Sequence, residues 1–91
     1  MASKINFKKI KPPHDSMEKY YQTMFNRNQS KWMRRSKMEP SHLGSEFDLE
    51  GSKYSLIGSA TSTEVVVKNL ETGEFFMVSI DPVSAAVLGA E

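Results

Sequence analysis

The stretch GSKYSLIGSATSTEVVVKNLETGEFFMVSI, residues 51–80, decides the fold. It is a succession of short apolar runs separated by turn chemistry. Gly51-Ser52 reads as a turn leading into Tyr54, Leu56 and Ile57. Gly58–Thr63, GSATST, reads as a second turn. Val65-Val66-Val67 is a β-branched run, stiff at χ1 and suited to a strand. Glu71-Thr72-Gly73 suits a three-residue hairpin loop in which Gly73 takes the left-handed conformation. Phe75, Phe76, Met77, Val78 and Ile80 make the last strand. The core expected from this pattern is Tyr54, Ile57, Val66, Phe76 and Val78, with Phe75 as the alternative inward residue of its strand.

Working outward, Asp81-Pro82 reads as an N-cap followed by proline at the first helical position. VSAAVL then gives a short helical turn ended by Gly89. Upstream, Phe47 and Leu49 alternate with acidic residues and add a strand. Residues 45–90 thus predict a small β-barrel with a short C-terminal helical turn. A half-open curved sheet with a helix packed across it is the competing arrangement.

Residues 15–38, DSMEKYYQTMFNRNQSKWMRRSKM, predict an amphipathic basic helix. Asp15 reads as its N-cap, with Glu18 completing a capping box. Met17, Tyr20, Tyr21, Met24, Phe25 and Trp32 fall in one sector of the helical wheel, with Asn28 inside it. Asn26, Asn28 and Ser30 are weak helix formers, so a break near Asn26–Asn28 is expected. Residues 1–14 read as a basic flexible arm, in which Pro12-Pro13 blocks helix. Ile5 and Phe7 alternate, so a frayed terminus and an added edge strand are equal readings. The whole predicts one structural domain of α+β class: basic arm, amphipathic helix, then a four- to five-stranded antiparallel SH3-like barrel or curved sheet.

Charge is segregated along the chain. Residues 1–38 carry ten lysines and arginines against Asp15 and Glu18, a net of +8, while residues 39–91 carry Lys53 and Lys68 against nine acids, a net of −7. Such asymmetry points to a polyanionic partner, or to a tail that docks on its own acidic half. Arg27, Lys31 and Arg34 share one helix face, and Arg35 and Lys37 extend the cluster. Cations at that spacing neutralise phosphates and release counterions. Lys8, Lys9 and Lys11 would act as a flexible clamp. Trp32 and Tyr20 among these cations can stack on unpaired bases or contact a partner, although Trp32 also continues the apolar stripe and suits a core.

Other chemistry is sparse. His14 and His42 have no zinc spacing, and Ser59 and Ser62 read as turn residues with no nucleophile elbow. Glu46, Asp48 and Glu50 alternate along one strand and read as a solvated edge that discourages strand addition, in preference to a cation site or a dock for the basic arm. No catalytic residue, metal or cofactor is expected. The chain contains no cysteine, which fits a reducing, cytoplasmic setting. It has no run approaching the ~18 apolar residues of a membrane helix. Met1–Lys4 leads into no apolar segment of a secretory signal.

Gly51–Gly58, with Tyr54, Leu56 and Ile57, followed by Thr72–Phe76 and Val83, resembles the small SH3-like barrel at the C-terminal end of SprT-like proteins and in related short phage proteins. The resemblance covers about residues 45–88 and implies a barrel with a nucleic-acid-associated role. Two positions depart from it. Gly58–Glu64 has no basic residue where the family turn is basic, and Glu74 stands where the family favours Lys or Arg. The protease half is missing, so no protease activity carries over. The expected function is a small non-enzymatic module associated with nucleic acid, DNA or RNA, through the helix. The alternative is a protein-binding adaptor or inhibitor, phage-encoded, that meets an acidic surface on a larger host or virion protein.

Overall fold

The computed structural model describes residues 5–28, 38 and 40–89. Five strands form one antiparallel sheet: β1 (Lys8–Ile10), β2 (Glu46–Leu49), β3 (Ser52–Ser59), β4 (Glu64–Asn69) and β5 (Phe75–Ser79). Their order is β1-β5-β4-β3-β2, a four-strand meander with the N-terminal strand added beside the last. The sheet is curved and not closed, with β1 and β2 at its edges. Two helices complete the α+β fold: α1 (Asp15–Arg27) and α2 (Ile80–Gly89), with a 3-10 turn at Pro40–His42.

The ladder explains the packing. Phe47 pairs with Tyr54, Leu56 with Val67, Val67 with Phe76 and Val65 with Val78. Residues paired across strands point to the same face, so these side chains make one apolar face. It forms a single core with Phe25 of α1, Met38, and Ile80, Val83 and Val87 of α2. Leu56, two residues from Tyr54, shares its face and takes the buried place, while Ile57, at a bulge between Leu56 and Gly58, is only half-buried. Of the expected core residues, Tyr54 and Val78 belong to the core, and Phe76 packs half-buried against it. Val66 is fully buried, yet alternation places it on the second face. Phe75 is buried on that second face too, under the Lys68 ammonium 5.7 Å from its ring centre. Phe75 and Phe76 are therefore not alternatives, because the sheet is covered on both sides at this strand.

Turns fall close to their expected places. Glu50 and Gly51, with φ of 52° and 81°, form the two-residue turn between Leu49 and Ser52, one residue earlier than the sequence pattern placed it. Positive φ at both positions matches the right-handed strand twist. Glu50 thereby leaves the strand, so the three acids do not line one edge. The β4–β5 loop is four residues long, Leu70–Gly73, because Asn69 N–H donates to the Glu74 carbonyl at 2.7 Å. Asn69 Oδ1 accepts from the Glu71 and Thr72 amides at 2.8 and 3.1 Å, and Gly73, at φ 79°, donates to the Asn69 carbonyl. The hydroxyls of the β3–β4 turn serve the backbone as expected: Ser59 Oγ donates to the Thr61 carbonyl, and Thr61 Oγ1 accepts from the Glu64 amide.

The N-cap of α1 lies one residue before its expected place. His14 is the N-cap and makes no side-chain capping bond, so Asp15 opens the helix and complements its dipole with Glu18. The helix ends at Arg27, where Asn28 donates to the Met24 carbonyl from both its backbone (3.1 Å) and its side chain (3.0 Å). Residues 29–37 of the expected longer helix lie outside the described residues. α2 likewise starts at Ile80, before Asp81, and Ile80 N–H bonds the Thr63 carbonyl at 2.9 Å.

α1 rests on β3 at Gly58. A Cβ there would lie 2.5 Å from the Tyr21 carbonyl carbon, 2.6 Å from its oxygen and 2.7 Å from its Cβ. Backbone cannot yield at that distance, so only glycine lets the helix sit this close. Gly58→Ala should cost at least about 1–3 kcal/mol through overpacking, read as a lowered midpoint in chemical denaturation. An unchanged midpoint would mean that the helix does not sit at this distance. At Gly73, valine should destabilise by ~1 kcal/mol or more beyond asparagine, since asparagine tolerates the left-handed region. Equal midpoints would place the turn elsewhere.

Candidate functional site

The candidate basic surface has two parts in the fold, the N-terminal arm and the end of α1. The arm is not loose where the structure describes it. Lys8, Lys9 and Ile10 pair with Met77, Phe76 and Phe75 of β5. Phe7 stacks on Tyr54 with ring centres 5.5 Å apart and meets Phe76 edge-on at 5.8 Å. Ile5 also packs against the core. The edge-strand reading of Ile5 and Phe7 therefore replaces the flexible arm over Lys8–Ile10.

Both expected clamp lysines of this strand are engaged within the chain. Lys8 Nζ lies 3.3 Å from Glu64 Oε2, and Lys9 Nζ lies 2.7 Å from Glu74 Oε2. Alternation along β1 puts the two pairs on opposite faces of the strand. The Lys9 ammonium holds the Glu74 carboxyl below the usual glutamate range, first by its hydrogen bond, then with help from Thr72 and from its charge, against a small opposing effect of burial. These partners are largely solvated, so the pairs themselves add little to stability. Apolar packing of Phe7 and Ile5 holds the arm, and the ion pairs fix its register. Sequence reasoning missed Glu64 and Glu74; the dock it weighed for the arm was Glu46, Asp48 and Glu50. The signal available was the charge segregation itself, which allowed a basic tail to lie on its own acidic half.

The other expected residues divide simply. Arg27 is exposed in the last turn of α1, where a cation complements the dipole. Lys11 is exposed just beyond β1. Tyr20 is 52% exposed, and its ring meets that of Tyr21 at 6.0 Å. Met17 is exposed beside it on the helix, whereas Tyr21 is half-buried and Phe25 is fully buried. Lys31, Trp32, Arg34, Arg35 and Lys37 lie outside the described residues.

A second feature lies between α1 and the sheet. Glu18 and Gln22, one turn apart, face Leu43, Gly44, Ser55, Leu56 and Ile57 across a groove of about 320 Å³. Among the described residues, no group of three or more His, Asp or Glu side chains is placed to hold a metal ion, and no helix is long and apolar enough to cross a membrane. No family model, curated protein or solved structure matches this chain.

The Lys9–Glu74 pair has a definite pH sign. A carboxylate held below its ordinary range contributes stability that is present above that range and disappears as pH falls through the lowered value. Lys9→Met should return the Glu74 titration towards the ordinary glutamate value, read by NMR of the side-chain carboxyl carbon. It should also speed exchange of the amides shared by β1 and β5. A Glu74 titration unmoved by the substitution would show that Lys9 does not hold it.

Proposed function

We propose that this chain is a small non-enzymatic binding module of the cytoplasm that associates with nucleic acid through the basic end of α1. The observation that carries the reading is Arg27, exposed at the C-terminal turn of a helix seated on the sheet. It opens a run, residues 27–37, with five cations and no acid. Lys8 and Lys9 are matched by Glu64 and Glu74, so the unmatched positive charge of the N-terminal half concentrates in that run. Phosphates would be neutralised by Arg27, Lys31, Arg34, Arg35 and Lys37, with counterion release supplying the affinity. Tyr20, exposed on the same helix, offers a ring on which an unpaired base can stack. The resemblance to the C-terminal module of SprT-like proteins fits this reading.

Exposure of Met17 next to Tyr20 favours a second reading, an adaptor or inhibitor that docks an acidic protein surface on this helix.

A salt series separates the two. Binding to a single-stranded or duplex oligonucleotide should weaken steeply with log[salt]. The triple substitution Arg27→Ala, Lys31→Ala, Arg34→Ala should reduce that slope by about one unit for each phosphate that is no longer neutralised, with the fold intact by circular dichroism. Unchanged affinity in the triple variant would discard this surface.

A further inference from the structure

The groove between α1 and the sheet combines apolar and polar side chains. Its apolar side chains are Leu43 and Ile57, both half-buried, while its rim carries Glu18, Gln22 and Ser55. Glu18 is half-buried, and so is Ser55. Among the described residues, none of these three side chains has a hydrogen-bond or ion-pair partner within the chain. Glu46, paired with Ser55 across the ladder, adds a second negative charge beside the groove. The groove persists because the Tyr21–Gly58 contact fixes the height of the helix above β3. An apolar floor with a few convergent polar groups is the usual form of a ligand site.

We propose that this groove takes an arginine side chain presented by a partner protein. Charge complementarity selects a cation, since Glu18 is the only charged group lining the groove among the described residues. The aliphatic stem of an arginine matches the half-buried Leu43 and Ile57. Its planar guanidinium suits a carboxylate through two parallel N–H···O bonds, and leaves further donors for Gln22 Oε1 and Ser55 Oγ. A guanidinium is also less strongly hydrated than an ammonium, so it enters a partly apolar groove more readily than lysine does. This site is opposite in charge to the basic run, so its partner need not be the partner of that run.

The test titrates the full chain with two probes, a short blocked peptide with one central arginine and free agmatine, followed by amide NMR. Shifts at Leu43, Gly44 and Ser55–Ile57 with the peptide are expected, and the same peptide carrying citrulline in place of arginine should bind about tenfold more weakly or worse. Glu18→Gln should weaken the arginine peptide by a similar factor with the fold intact by circular dichroism. Equal binding of agmatine and peptide would overturn the protein partner in favour of a free cation. No shifts at these residues, or unchanged affinity in Glu18→Gln with the fold intact, would overturn the site.

Discussion

The absence of one methyl group sets the relation between helix and sheet. At Gly58 the chain of β3 meets the backbone of Tyr21 so closely that any side chain would collide with a carbonyl group. Other features depend on that seat. It directs Phe25 into the same core as Leu56 and Val67, leaves Tyr20 and Met17 outward, and aims the C-terminal turn of α1 with Arg27 away from the core. It also leaves the groove at Glu18 and Gln22 open. Burial alone would bring an amphipathic helix onto an apolar sheet. The glycine decides where the helix rests and how deeply.

The charge arrangement follows from a second constraint. A β5 edge left bare would present unpaired backbone groups beside exposed aromatic rings. The N-terminal arm covers it, with Phe7 closing over Tyr54 and Phe76. Lysines at positions 8 and 9 then meet acids on both faces of the strand. The chain thus sets part of its basic half against its own acidic half. What remains positive is concentrated towards residues 27–37, and that remainder carries the functional reading.

Much of this fold was legible in the residues. The β-branched run at Val65–Val67, the apolar run at Phe75–Val78 and the glycine at 73 specified a hairpin by local chemistry alone, and Asn28 ended α1 where weak helix formers accumulate. Other details were not legible because they depend on contacts distant in sequence. Leu56 in place of Ile57 follows from alternation with Tyr54, but the bulge at Ile57 answers to packing, and the strand pattern cannot reveal it. Asn69 looks like any polar strand residue until its side chain is seen to organise the turn after it. Gly58 resembled a turn glycine, yet it lies within β3 and serves close approach. For the binding surface, the sequence showed which cations exist but not which are already paired; only the sheet register joined Lys8 to Glu64 and Lys9 to Glu74.

The seat of α1 on β3 can be read directly in solution from nuclear Overhauser contacts at Gly58. With a Cβ position only 2.7 Å from the Tyr21 Cβ, the Gly58 Hα protons should give strong cross-peaks to the Tyr21 Hβ protons. Their absence, with both residues assigned and α1 intact, would contradict the packing on which the core, the orientation of Arg27 and the groove all rest.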